Sequence, residues 1–404
     1  MITQRDIFFR NLGLPSRQPL ALEIESAEGI YLYDVRGNRY TDLVSGITVS
    51  NIGHHHPAVI QAIHHQVDKY LHLMVYGKYI QSPQVQLAAR LAELLPPSLN
   101  CTFFVNSGSE AIEGGIKLAK RYTGRTGIVA FKNAYHGGTH GALSILGDER
   151  LKNAFRPLLP DITFLSFNNL DDLNHITPKT ACVIVEPIQA EAGVILPDDG
   201  FLPALRRRCD ETGTLLVFDE IQMAFGRTGR LFCFEHYGVI PDILVLAKSL
   251  GGGMPLGAFI SSGDIMMSLT HEPELGHITT FGGHPVSCAA ALAALEVLTS
   301  GDLIAQSAGK GELFRSLLSG HLLIMEIRMK GLMLAIELEN EALTSQLIQI
   351  FIKNGLVVDQ FLFRPQAFRI APPLTITEEQ IRETCEVVID SLDELKISIQ
   401  GHKS

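Results

Sequence analysis

None of the six cysteines (Cys101, Cys182, Cys209, Cys233, Cys288 and Cys385) stands in Cys-x-x-Cys spacing. Most lie in apolar runs, so they read as reduced core residues and not as a disulfide or zinc framework. No cluster of Lys and Arg occurs, and the net charge is −10, which argues against nucleic acid as a main partner. No apolar stretch reaches membrane-spanning length. Met1–Asp6 lacks the basic region and apolar run of a signal peptide, so a cytoplasmic chain is expected. Repeats and low-complexity tracts are missing as well. What remains is the composition of a globular protein, 46% hydrophobic and 19% charged, with room in 404 residues for two domains.

The pattern along the chain changes twice. Residues 5–12 form a short amphipathic stretch, and Ile30–Asp34 and Arg39–Leu43 read as strands joined at Gly37-Asn38. Three adjacent histidines, His54–His56, suggest a metal, but consecutive side chains do not converge on one ion without an unusual loop. Pro57 points instead to the opening of a helix over 57–70. From about residue 83, strands alternate with helices. Expected strands are Cys101–Val105, Gly127–Phe131, Ile162–Phe164, Ala181–Val185, Leu215–Phe218, Ile243–Leu246 and Ala258–Ser261. Helices are expected at Ser109–Tyr122, Leu202–Thr212 and Val286–Leu298. Near-continuous apolar strands of this kind imply an α/β fold with a mostly parallel sheet covered on both faces. Beyond about residue 300 the pattern becomes α+β, with helices near 302–319, 342–354 and 377–396 and a strand at Leu332–Leu338. The expected division is an N-terminal segment (1–50) joining a small domain (301–404), with a large domain over 51–300.

Asn106, Glu186, Asp219 and Lys248 each follow the apolar run of an expected strand, and Tyr135 lies just beyond another. In an open parallel sheet the carboxyl ends of the strands form the ligand crevice. A lysine at the end of the apolar Ile243–Leu246 run, followed by Gly251-Gly252-Gly253, is costly to keep charged. Its amine suits a Schiff base, although a snorkelling lysine at a strand exit fits the same stretch. Asn106-Ser107-Gly108-Ser109 precedes a helix whose free amides suit a phosphate, or Ser109 is only an N-cap. No Gly-x-x-x-x-Gly-Lys-[Ser/Thr] run is present, which excludes a P-loop. Asp219 needs a cation or several donors to stay ionised; a protonated pyridine nitrogen is one such partner, and a helix cap or a metal is the alternative. Phosphate cradle, aromatic, acid and lysine together are what pyridoxal 5'-phosphate requires.

With these residues in place, the chain resembles the class III (ω-amino-acid) aminotransferases of the fold type I pyridoxal-phosphate enzymes. The resemblance runs from Gly29–Asp34 to Arg369–Leu374 and is most specific over Leu216–Lys248, including Phe218-Asp219-Glu220-Ile221-Gln222 and Phe225-Gly226-Arg227-Thr228-Gly229. It implies Lys248 as the Schiff-base lysine and Asp219 as partner of the pyridine nitrogen. It also implies Gln222 at the ring hydroxyl, Gly108 and Ser109 at the phosphate, Tyr135 on the ring face and Glu186 in the ring region. Thr280 would reach the phosphate of the neighbouring subunit, which implies a homodimer with shared sites. Glu191 would pair with Arg369 and release it to an incoming α-carboxylate; a purely structural ion pair is the alternative. The implied reaction is a ping-pong transfer of an amino group, expected to be a terminal one, from an amine or amino acid to a 2-oxo acid, with 2-oxoglutarate expected. An aminomutase, a decarboxylase or a non-catalytic cofactor-binding protein would be compatible with the same scaffold.

Four departures from the family pattern bear on the donor. Gly138 replaces the Arg that binds a substrate carboxylate in acetylornithine, ornithine and 4-aminobutyrate members. Ile47 stands where the ornithine enzymes place a Tyr, His284 replaces an Asn, and Met223-Ala224 replaces smaller residues. Arg156 is the one substitute cation the sequence suggests for a distal carboxylate.

Overall fold

A computed structural model describes residues 2–401. Seven strands form the central sheet, in the spatial order Cys101–Val105, Gly257–Ser261, Ile243–Leu246, Leu215–Asp219, Thr180–Val185, Gly127–Phe131 and Ile162–Leu165. Gly257–Ser261 runs antiparallel to both of its neighbours, and all other pairings are parallel. Side chains alternate across the sheet with period two. Val183, Leu216 and Leu244 enter one apolar cluster, while Ile184, Val217 and Val245 enter another on the opposite face. Helix Gly108–Thr123 covers the second face through Ala111, Ile112, Ile116 and Ala119. Helices Phe201–Thr212 and Pro285–Thr299 supply the first. Two covered faces are the physical reason these strands lack polar alternation.

The remaining elements form two smaller sheets. Ile24–Glu28, Tyr31–Asp34 and Arg39–Asp42 pair in sequence, and Arg39–Asp42 continues in parallel onto Leu356–Val357. The N-terminal strands are thus hydrogen-bonded to the C-terminal region. The other sheet is antiparallel, in the order Glu326–Lys330, Met333–Glu337, Arg364–Ile370, Gln360–Phe361. Glu326–Lys330 and Arg364–Ile370 escape a sequence reading because their charged residues interrupt the apolar pattern. Helices Leu303–Leu318, Glu341–Lys353 and Glu378–Gly401 lie within about two residues of the expected spans at most ends, though the last runs further. The histidine triplet has structural contacts: His54 Nε2 lies 2.8 Å from Asp42 Oδ2, and His56 caps helix Pro57–Val67. Among the described residues no single helix is long and apolar enough to cross a membrane.

Arg227 ties these parts together. Its side chain is wholly buried, and burial lowers its pKa to about 9. Nη1 donates to the carbonyls of Leu332 and Pro372 at 2.9 and 2.6 Å, and Nη2 to Asn51 Oδ1 at 2.6 Å. Asn51 in turn donates to the Phe225 carbonyl at 2.8 Å. Arg227→Met would leave three buried acceptors without donors and should destabilise the fold by about 3 kcal/mol or more. A denaturant midpoint unchanged from the parent would show that this clamp contributes nothing.

Candidate active site

Segments at the ends of five strands and a helix start meet at one cavity of about 410 Å³ at the carboxyl edge of the central sheet. Asn106, Gly108, Ser109, Tyr135, Glu186, Asp219, Gln222 and Lys248 all line it. The parallel sheet places the residues after successive strands on the same edge, so distant sequence positions converge. Glu191 and Arg369 are buried behind Gln222 and linked to it by hydrogen bonds. Ile47 and Thr280 lie outside the cavity lining and are exposed. Ile47 belongs to a turn in which Ser45, Gly46, Ile47 and Thr48 all have left-handed φ, from 54° to 64°. Such backbone costs about 1–2 kcal/mol per non-glycine residue. Ser45 Oγ donating to the Ala371 carbonyl and Ser249 Oγ donating to the Thr48 carbonyl hold it in place. Arg156 does not reach the cavity; it pairs with Glu149 at 2.6 Å on the surface, which corrects its proposed role as a carboxylate ligand.

Helix Gly108–Thr123 is capped by Ser107, whose side chain accepts from Glu110 N–H, and not by Ser109. Ser109 Oγ accepts instead from Gly138 N–H at 3.1 Å. Gly137 makes that approach possible: its φ is +128°, and a Cβ there would sit 2.2 Å from Ser109 Oγ. The start of the helix, with its positive dipole end, therefore faces the cavity beside an unobstructed loop.

Lys248 has a left-handed φ of 49°, which turns its side chain back from the strand end into the cavity. Nζ donates to Gln222 Oε1 at 2.6 Å. Desolvation lowers the amine pKa to about 8, against opposing pulls from Glu191, Asp219 and Glu186. Asp219 is buried on the same wall; Oδ1 accepts from Ile221 N–H at 3.0 Å, and Oδ2 lies 2.7 Å from His136 Nδ1. His136 is buried too, and its Nε2 has no hydrogen-bond partner. Sequence reasoning missed it because the neighbouring Tyr135 drew the assignment, and nothing local says that a loop histidine will face an acid from another strand. Burial and the nearby Asp219 charge raise the pKa of Glu186 well above the usual carboxylate range. Its oxygens accept from the Tyr135 and Ala190 amides. Tyr135 is 36% exposed, and its lining position opens that surface to the cavity.

The donor set fits a phosphorylated pyridine aldehyde. A depressed-pKa amine, a buried acid with a free lone-pair side, an aromatic face and a helix start converge on a space of suitable size. The amine gives a pH test on cofactor-free protein. A lysine whose pKa falls from its ordinary value to about 8 carries more free amine as pH rises through that point. Trapping of Lys248 by a small aldehyde and borohydride should be half-maximal near pH 8, while exposed lysines stay largely protonated until about pH 10. Equal labelling profiles for Lys248 and the surface lysines would refute this assignment.

Comparison with known proteins agrees with this geometry. Residues 14–392 match the family described as aminotransferase class-III. Acetylornithine aminotransferase of Methanosarcina mazei is 39% identical over 376 residues, covering 92% of this chain and 91% of that protein. The solved structure of ornithine aminotransferase from Toxoplasma gondii superposes with a TM-score of 0.90 at 29% identity, covering 98% of this chain and 96% of that one. Adenosylmethionine-8-amino-7-oxononanoate aminotransferase from Methanocaldococcus jannaschii gives 0.90 at 29% identity, with 96% and 98% covered. The names of these similar proteins differ in the amino donor, while all are aminotransferases. On sequence, fold and site together, the chain belongs to the class III aminotransferases and is a pyridoxal-phosphate-dependent transferase of amino groups.

Proposed function

We propose that the enzyme moves a terminal amino group from an amine or amino acid to 2-oxoglutarate, with Lys248 as the proton carrier and Arg369 as the acceptor carboxylate site. The observation that supports this best is a hydrogen-bonded path from one to the other. Lys248 Nζ donates to Gln222 Oε1, Gln222 Nε2 donates to Glu191 Oε1 at 3.2 Å, and Arg369 Nη2 donates to that same oxygen at 2.8 Å. Pyridoxal phosphate, when bound, supplies a carbonyl carbon to the substrate amine and an electron-withdrawing ring. Lys248 Nζ, with a pKa lowered to about 8, would take a proton from the substrate carbon and deliver it to the carbonyl-derived carbon of the bound cofactor. Asp219 Oδ2, oriented by His136 Nδ1, holds a proton on the ring nitrogen. Burial and the Asp219 charge disfavour a second negative charge on Glu186. Gln222 orients Nζ between turnovers.

Substrate alternation falls to Arg369. It is buried, stacked 4.6 Å from the centre of the Phe361 ring, and neutralised by Glu191. A guanidinium fork matches a carboxylate in a bidentate manner, so a 2-oxo acid competes directly with Glu191. On the donor side, Gly138 leaves open space where a guanidinium would otherwise reach in. That supports a donor whose far end is not gripped by a cation from this loop. The homodimer belongs to the same reading. Thr280 is exposed between exposed Ile278 and Phe281, and segments 75–77 and 274–282 share an apolar-walled hollow of about 510 Å³. A second copy covering this surface would bring Thr280 to its neighbour's cofactor phosphate.

Lys248→Ala should abolish turnover while the protein stays folded; residual turnover close to that of the parent would remove Lys248 from the chemistry. Arg369→Ala should raise the KM for 2-oxoglutarate on the order of 100-fold while cofactor stays bound, because a bidentate contact to a carboxylate is lost. An unaltered acceptor KM, measured by glutamate formation across a panel of amine donors, would count against the role of Arg369.

A further inference from the structure

Arg369 faces two carboxylates, and only one of them is explained by substrate alternation. Glu191 occupies Nη2, while Asp359 Oδ1 lies 3.3 Å from Nε. Asp359 is a cross-strand neighbour of the arginine, since Arg369 N–H donates to the Asp359 carbonyl at 2.9 Å. It stands between the short strands Leu356–Val357 and Gln360–Phe361, and the Phe361 ring flanks the guanidinium. The guanidinium is 1% exposed, yet Nε and Nη1 have no hydrogen-bond partner, nor does Asp359 Oδ1. The pair is an ionic contact without hydrogen-bond geometry. A guanidinium presents five donors, so this one is held in place with donors to spare.

We propose that Asp359 is a specificity-determining positioning residue of the acceptor site, a fixed counter-charge to Arg369 that must take up a proton when an acceptor carboxylate binds. The proposal rests on Arg369 being the acceptor carboxylate site. The acceptor brings one further carboxylate to a guanidinium that already faces Glu191 and Asp359, and a negative charge added there opposes the ionised form of Asp359. The charged groups facing Asp359 are Arg369 and, in the cofactor-free protein, Lys248, which favour its ionised form, and Glu191 and Asp42, which oppose it. Asp42 is itself in contact with His54. Partial burial (the side chain is 30% exposed), with the Glu191 charge, raises the Asp359 carboxyl to about 6 despite Arg369. One more anion at the guanidinium raises it further. Between the free and bound values the site therefore takes up protons on binding, and affinity for a carboxylate falls as pH rises. Above both values the loss is complete and constant.

Glutarate, which lacks the reacting oxo group, reports this site without turnover. Its binding to the holoenzyme can be followed by titration calorimetry in two buffers of different ionisation enthalpy. In the parent, Kd should rise about tenfold from about pH 6 to about pH 8, with net proton uptake near neutrality. Asp359→Asn should bind glutarate about tenfold more tightly than the parent at about pH 8 and show neither the slope nor that uptake. If Asp359→Asn weakens binding equally at every pH, Asp359 only supports the arginine sterically and the proposal fails. If the variant keeps the parental slope, another group titrates, and the proposal fails as well. Arg369→Ala separates the two levels: weaker glutarate binding in that variant keeps the acceptor-site reading, and unaltered binding overturns that reading and the proposal together.

Discussion

Desolvation of one amine governs the organisation of this site. Lys248 stands at the end of the strand Ile243–Leu246, buried on both faces, and an ammonium in that position is opposed by the low polarity around it. The fold does not relieve this by moving the side chain to solvent. It turns the backbone into the left-handed region and sets Nζ against the Gln222 carbonyl oxygen. The amine is thereby held within reach of neutral pH and aimed at the cavity. Both properties suit the proton transfers proposed for this amine.

The same wall holds two acids in different surroundings. Asp219 and Glu186 follow neighbouring strands and are buried alike, but their partners differ. Asp219 meets a histidine ring and a backbone amide, whereas Glu186 accepts only from amides and sits in the field of Asp219. Environment, and not residue type, separates their roles. Further back, Glu191, Arg369 and Asp359 form a compact charged group with more anions than cations. If Arg369 receives the acceptor, as proposed, binding there is an exchange of charge in a mostly buried group.

Much of the fold was legible because the central strands are short apolar runs bounded by turn signals, and their spacing with amphipathic helices admits few architectures. Cys101–Val105, Gly127–Phe131 and Ile243–Leu246 carry the expected bounds. The strands Glu326–Lys330 and Arg364–Ile370 were not legible, since charged residues interrupt their apolar pattern. In the site, polar residues directly after apolar runs marked Glu186, Asp219 and Lys248. His136 and Asp359 carried no such mark. Each acquires its meaning only from a partner on another element, 83 positions away for His136.

The sequence by itself determined the positions of the central strands along the chain, the residues at their carboxyl ends and the resemblance to the family. Those follow from local periodicity and from motifs carried within a few residues. Only the tertiary structure decided which nitrogen each acid faces, that Ser107 and not Ser109 caps the phosphate-side helix, and that Arg369 is held between two carboxylates. Hydrogen bonds and charge pairs depend on distances of a few ångströms between residues far apart in the chain, and a one-dimensional pattern does not contain those distances.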